Sequence, residues 1–582
     1  MPVAIDFESF YSKDCNISGL GPWHYLNDPQ CDIYLVALYG DGIEFVGRPE
    51  DFDWGRLNGK FLVAHNLAWD GLVFSHLQRK GVIPEEIGFS GFACTANLAV
   101  YLGAPRNLAG AAKQLLGLDL SKDLRTWMKG KTWDEALRAG KAGELREYCL
   151  RDAKASHAIW ENHSRLWPGH EQSLSAHTMR MGWRGVCVDT ARVEEGIRHL
   201  DRVMWEAQSK IPWSDTDSAI LSPKALGEAC RAAGITPPPS LSEDDPECEA
   251  WERQYGDQYP WVGAMRDYRK ANALREKLKT MRDRTRPTDG CMGYSLKYFG
   301  AATGRWSGDA GFNIQNLPRG ESYGVDLRAC IVPRPGREFV SCDLCQIEPR
   351  VLAWLCGDQA LLDQLGSGMP LYEAHARNTM GWSGGSLKKE NPRLYSLAKA
   401  RVLGLGYGCG PDKFVTVAKT MGGIDITLAE AQRTVAEFRA SNRKIISLWN
   451  RLDADFKRSV RGNYEIELPS GRSLVYRDVR SNGGWTAQTE LGGKRQRFYG
   501  GKLCENLVQA VARDVFAEAL LRLEQAGFEV VFHVHDEAVC EVPSASAREA
   551  AVEIERIMST TPDWLLGCPL AAEAVVTTRY CK

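Results

Sequence analysis

Residues 339–358, FVSCDLCQIEPRVLAWLCGD, restrict the fold of this chain more than any other stretch. They open as an apolar strand, reach Asp343, and turn into an amphipathic helix carrying Gln346, Glu348 and Arg350. A carboxylate at the end of a buried strand must be paired, hydrogen-bonded or bound to metal. Alone, such an aspartate is as often a cap or a structural partner. A second acid pair lies far downstream, where His535, Asp536 and Glu537 sit inside VVFHVHDEAVCEV. That segment alternates on both sides of the acids and reads as a strand–turn–strand hairpin. Two strands that each bring an aspartate to one sheet edge make a two-metal site. Such a site activates a hydroxyl and stabilises the leaving oxygen in phosphoryl transfer.

A second group of acids lies near the start. In VAIDFESF, Asp6 and Glu8 point to one face of an apolar strand. They repel each other unless cations sit between them, or the strand is a solvated edge. In FLVAHNLAWD a strand feeds a helix that begins near Asn66 and carries Asp70 in its first turns. Residues 144–160 read as a helix with Tyr148 and Asp152 one turn apart.

Between these groups, 166–200 is mostly helical and ends in a short strand, 185–189. LSPKAL at 221–226 is a serine cap before a proline-led helix. Residues 237–239 and the acidic run 243–249 read as loop. Residues 266–286 form a helix with nine Lys or Arg against three acids. That is either a solvated face or a contact with a duplex backbone. Residues 302–319 are a donor-rich loop. Lys399, Leu403 and Tyr407 recur every four residues, as on an amphipathic core helix with a snorkelling lysine. A helix ending near Trp449 and a hairpin about 469–472 follow. Lys494, Arg495 and Arg497 lie in a glycine-rich stretch suited to phosphate contact, and 504–521 is helical.

Length permits several domains, and a net charge of −2 excludes a basic nucleic-acid coat but not a basic cleft. No apolar run is long enough to cross a membrane, and the N-terminus has no basic leader. Seventeen scattered cysteines without a secretory signal imply reduced thiols in a cytoplasmic compartment. Cys342 and Cys345 form a lone CxxC, read as strand and turn packing rather than zinc.

DLCQIEPR resembles motif A of the family A DNA polymerases, and HDE resembles their motif C, closest to the bacteriophage members. The resemblance implies a multidomain α/β and α+β fold, with an RNase H-like exonuclease domain followed by a right-hand polymerase. The divisions are exonuclease 1–165, palm connector 166–200, thumb 201–300, palm with motif A 301–360, fingers with motif B 361–495, and palm with motif C 496–582. No 5′-nuclease domain is expected.

In the polymerase, the resemblance assigns metal binding to Asp343 and Asp536, with Glu537 secondary. Glu348 is the steric gate against a ribose 2′-OH, beside Gln346. Pro349 departs from the usual aliphatic residue and is tolerable if the helix starts near Ile347. ATGRWSGDAGFNIQNLPR matches the TGR…NxQNxP signature. It assigns Arg305, Asn313, Gln315 and Asn316 to primer–template contact, along with Gln509 and His535. Lys399 would neutralise the incoming triphosphate and Tyr407 lie beside the templating base. Tyr395 replaces the family arginine, with Arg393 and Arg401 the candidates to compensate and only Arg401 within a turn after Lys399. Leu403 stands at the usual aromatic position, and Tyr372 where many members have histidine.

In the N-terminal third, Asp6, Glu8, Asp70 and Asp152 with Tyr148 match 3′→5′ exonucleases of the DEDD group, tyrosine subtype. Trp69 stands where Phe or Tyr is usual. The cofactors implied are two Mg²⁺ per site, with Mn²⁺ as a substitute. The partners are primer–template DNA, dNTPs and unidentified replisome proteins, with no membrane. The expected setting is a monomer in the cytoplasm of an infected bacterial host. Two rivals are a single-subunit RNA polymerase, opposed by Glu348 and the nuclease acids, and a non-catalytic DNA-binding replisome component, opposed by the full set of carboxylates.

Overall fold

A computed structural model describes residues 2–581 apart from Lys122, Asp217, Ser218, 242–244, Ala310 and Asn482. Strand β1 (Pro2–Ser9), which carries Asp6 and Glu8, is the middle of a five-stranded sheet. β2 (Ile33–Gly40) and β3 (Ile43–Gly47) extend it antiparallel on one side, and β4 (Phe61–Ala64) and β5 (Gly91–Cys94) run parallel on the other. Parallel neighbours need a crossover. Between β4 and β5 it is helix α1 (Leu67–Arg79), entered through Asn66 in the left-handed conformation, φ 80°. Helix α2 (Ala142–His163) lies across β1 and β2 and brings Tyr148 and Asp152 over the acids of β1.

Helix α3 (Gly169–Arg184) leads into a short strand, Val186–Val188, paired with Cys291–Met292 and Ile331–Val332. Cys187 and Cys291 stand opposite each other in that pairing and form a disulfide, which corrects the expectation of reduced thiols for this pair. The other cysteines form no disulfide.

Helix α4 (Thr190–Gln208) packs along α5 (Pro260–Arg284), the basic helix. Much of its charge is spent locally. Arg275 meets Asp201 at 2.9 Å, Arg282 meets Glu194 at 3.7 Å and Arg266 meets Glu252 at 2.9 Å. Arg284 is buried and donates to the Ser18 carbonyl at 2.7 Å. Ser222 caps Pro223–Ala232 as expected.

The acidic run is not all loop. Asp245 caps a helix, Pro246–Tyr255, with Glu247 and Glu249 in its first turn, where carboxylates favour the positive helix end. Glu243 lies outside the described residues.

In the C-terminal half, β6 (Arg337–Leu344) runs into α6 (Ile347–Cys356). Pro349 falls in the first turn, where the missing N–H has no helical partner to lose. Helix α7 (Pro392–Ala400) widens into a π-turn at Arg401–Leu405, so the every-four spacing of Lys399, Leu403 and Tyr407 does not lie on one regular α-helix. Trp449 does not end a helix. It lies inside Arg443–Arg458, which follows the separate helix Leu428–Ser441. The 468–472 turn joins strands Tyr464–Glu467 and Ser473–Ser481. The glycine-rich stretch is partly strand, Trp485–Gln488 and Gln496–Arg497, joined by a loop in which Arg495 is bonded to Asp478 at 2.8 Å while Lys494 is exposed.

Helix α8 (Gly500–Gln525) is buried along most of its length and packs on α6. The chain closes with β7 (Glu529–Val534), β8 (Glu537–Pro543) and β9 (Ala572–Thr577), giving the antiparallel order β7-β8-β6-β9.

His375 is buried against Phe438, and burial, with Arg401 adding, lowers its pKa from 6.5 to about 3. Below pH 6.5 the unfolded chain binds a proton that the folded one refuses, so stability is lost as pH falls. The stability of the wild type relative to H375F should fall by about 3 kcal/mol between pH 7 and pH 4 in denaturant unfolding. A pH-independent difference would contradict a neutral buried His375.

Candidate active sites

The C-terminal site sits where β6 and β8 end. Asp343 pairs in register with Glu537, and the Leu344 N–H donates to the Asp536 carbonyl at 3.1 Å. The 535–536 turn is therefore tied to the end of β6. His535 has φ 57°, a left-handed conformation that a non-glycine residue adopts only when its surroundings hold it there. Burial raises the Asp536 pKa to about 7, and the neighbouring Asp343 carboxylate pushes it further in the same direction. Glu537 is occupied elsewhere. It accepts from the Ser341 hydroxyl and, at 3.0 Å, from the Tyr580 hydroxyl, which in turn accepts from Arg328 at 3.0 Å.

Gln346 precedes α6 at φ 48° and is exposed. Glu348, in its first turn, is ion-paired with Arg305 and accepts from the Tyr407 hydroxyl at 3.4 Å. Arg350 points away, donating to the Cys345 and Pro569 carbonyls at 2.8 and 2.6 Å. Arg305, Gln315, His535 and Asp536 line one small cavity. Asn313 accepts from the Gln315 N–H at 3.0 Å and so shapes the loop, while Asn316 is exposed. Gln509, on α8, donates to Glu505 at 3.3 Å.

Lys399, Leu403 and Tyr407 are half-buried, and Lys399 has no ion pair among the described residues. Arg401 is misassigned as a nucleotide contact. Only 2% exposed, it lies 3.6 Å from Glu437 and over the Phe438 ring. Tyr372 packs edge-on against Tyr395, with ring centroids 5.5 Å apart, and burial raises its pKa to about 12.

The N-terminal site gathers acids from β1, α1 and α2. The Phe7 N–H donates to Asp70 at 3.3 Å, which joins α1 to β1 beside both Asp6 and Glu8. Burial raises all four carboxyls: Asp6 strongly, Glu8 to about 7, Asp70 to about 8, and Asp152 upward. Glu8 adds to the rise of Asp6 and Asp70, and Asp152 to that of Asp6 and Glu8. The Tyr148 hydroxyl helps to hold the Asp152 pKa down, and its ring lies under the Arg151 guanidinium, 5.1 Å from the ring centre. Trp69 packs against Tyr25, ring centroids 5.5 Å apart and planes tilted by 56°.

Sequence reasoning missed Arg125, which lowers the pKa of both Glu8 and Asp152, and Cys149, whose thiol lies 3.6 Å from Asp6. Arg125 had one available signal, its place in the basic stretch that precedes the Tyr148 helix. Ser341 and Tyr580 had none, because only folding brings them to Glu537.

Residues 214–582 match the family model of DNA polymerase family A. The chain belongs to that family. The DNA polymerase of Bacillus phage SP02 is 29% identical over an alignment spanning 100% of this chain and 99% of that one. DNA polymerase I of Aquifex aeolicus is 26% identical, spanning 90% and 89%. Among solved structures, the polymerase domain of Pol1 from M. smegmatis, described as a complex with DNA primer-template and dNTP, superposes with a TM-score of 0.67. It is 17% identical and covers 100% of this chain and 95% of that one, a likeness of fold.

Among the described residues of this family A polymerase, no three His, Cys, Asp or Glu side chains are already gathered to hold a metal ion. The acids are close enough to raise one another's pKa but do not converge on one point. Their chemistry still fits a hard divalent cation such as Mg²⁺. They are carboxylates, crowded, and costly to ionise without a counter-charge.

In metal-free buffer the ionised Asp536 should destabilise the fold above pH 7, and that penalty should fade as pH falls toward 4. D536N should therefore be more stable than the wild type at pH 8, on the order of 2 kcal/mol in melts with EDTA. A less stable D536N at pH 8 would contradict the crowding.

Proposed function

We propose that this polymerase has two active sites, one for template-directed DNA synthesis and one for 3′→5′ removal of nucleotides. The observation that carries the synthetic site is the meeting of Asp343 and Asp536 at one sheet edge, where the Asp343 carboxylate adds to the raised pKa of Asp536.

Asp343 and Asp536 are the residues to hold two magnesium ions. Bound there, the ions would lower the pKa of a primer 3′-hydroxyl and neutralise charge that builds on the α-phosphate and the departing pyrophosphate. Lys399, with no ion pair among the described residues, would meet the triphosphate. Glu348 is held by Arg305 and the Tyr407 hydroxyl, a fixed carboxylate suited to excluding a ribose 2′-OH. That favours DNA over RNA synthesis. Arg305 and Gln509 suit the minor groove, whose acceptors are common to all correct base pairs. The phrase "DNA primer-template and dNTP" in the description of the M. smegmatis structure supports the same partners here. In this reading the sheet of β6–β9 with α6 and α8 is the palm, α4 and α5 belong to the thumb, and α7 belongs to the fingers.

For the nuclease, support comes from the β3-β2-β1-β4-β5 sheet and the four carboxyls gathered from β1, α1 and α2, each raised by burial. Asp6, Glu8, Asp70 and Asp152 would hold the cations, and Tyr148, one turn before Asp152 on α2, would orient the attacking water. The phage relative supports work in an infected bacterial cell, with replisome partners unidentified.

D343A should cut primer extension by roughly a thousandfold or more and spare shortening of a primer. D6A combined with E8A should do the reverse. Extension that survives D343A, or shortening that survives the double variant, would place the corresponding site elsewhere.

A further inference from the structure

The backbone that carries Arg305 is held by two buried arginines. Arg513, one turn beyond Gln509 on α8, donates from Nε to the Gly304 carbonyl at 2.9 Å. Arg472, in the 468–472 turn, donates from Nη2 to the Thr303 carbonyl at 2.9 Å. Gly304 has φ +88°, and a Cβ there would come within 3.1 Å of both Arg472 and Phe299. The loop closes on the guanidinium with no room for a side chain.

Arg513 and Arg472 are 3% and 5% exposed, so each needs a compensating charge. Asp514 supplies one, accepting from Arg472 Nε at 3.0 Å, Arg513 Nη1 at 3.1 Å and the Ser470 hydroxyl at 2.5 Å. Glu171 supplies the other. It accepts from Arg513 Nη1 at 2.5 Å and Nη2 at 2.9 Å, and from the Tyr298 hydroxyl at 2.7 Å. Glu171 lies in the first turn of α3, ahead of the segment matched by the family model.

We propose that Glu171 is a positioning residue for synthesis. Its carboxylate takes both terminal arms of Arg513, turns Nε onto Gly304, and so fixes the loop that presents Arg305 beside Asp536. The inference rests on the polymerase reading above. Geometry supplies the reason: a planar guanidinium whose two outer nitrogens are clamped has only one direction left for Nε. Glutamine cannot replace the clamp, because its amide offers one acceptor and turns donors toward the other arm. The acids of β6 and β8 are untouched by such a change, so chemistry should survive while primer–template binding weakens.

The test uses full-length E171Q and R513K, each assayed for primer-extension kinetics, shortening of single-stranded DNA and thermal melting. R513K keeps a cation beside Glu171 and Asp514 but has no second nitrogen position for Gly304. Both variants should show a KM for primer–template raised about tenfold with kcat within about threefold, and shortening within about twofold of wild type. Folded variants with an unchanged KM would overturn the inference. So would equal losses of extension and shortening, the mark of general destabilisation. If E171Q does not fold, R513K decides. A wild type that shortens DNA but never extends a primer would overturn the polymerase reading itself, and this inference with it.

Discussion

Repulsion between crowded carboxylates is the constraint around which both halves of the chain are arranged. Asp343 and Asp536 stand at the edge of one sheet, where burial and the field of Asp343 oppose ionisation of Asp536. Such a pair stays close only if the backbone leaves it no alternative. Here β6 and β8 are paired through seven residues in register, and the turn between β7 and β8 is tied to Leu344 by a backbone hydrogen bond. The left-handed His535 is part of the same restraint. Glu537 is kept from joining the repulsion by the hydroxyls of Ser341 and Tyr580. The N-terminal sheet repeats the pattern with four acids, where Arg125 and a backbone N–H give partial relief.

The synthetic site also depends on charges that lie behind it. Two buried arginines hold the loop before Arg305, and their counter-charges come from α8 and from α3. In the folded chain Glu171 has a pKa of about 2, lowered chiefly by Arg513 against the opposing effect of burial. Its ionisation is therefore secure across the neutral range. The N-terminal part of the chain is thus physically joined to the C-terminal half through Glu171 to Arg513, and to α5 through Ser18 to Arg284.

Much of this was legible in the sequence, and the failures have a common cause. Asp6 with Glu8, Tyr148 with Asp152, and the His535–Glu537 turn declare themselves through local periodicity, and the structure puts them on the strands, helix and turn that periodicity predicts. What local pattern does not encode is the direction a long side chain takes. Arg401 looked available and is buried on Phe438; Arg495 looked like a phosphate contact and is bonded to Asp478. The basic helix carried real charge, yet much of it is answered by acids on neighbouring helices. The acidic run was read by its charge, whereas its Asp-Pro-Glu order marks a helix start. The Cys187–Cys291 disulfide and the Tyr580 contact join residues far apart in the chain, and no local signal points to either.

The most direct test of the two-site account is one gel. A 5′-labelled primer on a longer template is incubated with the wild-type protein and Mg²⁺, with and without the four dNTPs. The account predicts extension with dNTPs and shortening without them. Shortening in both lanes would contradict the reading of Asp343 and Asp536 as a synthetic site. Extension with no shortening under either condition would contradict the reading of Asp6, Glu8, Asp70 and Asp152 as a nuclease.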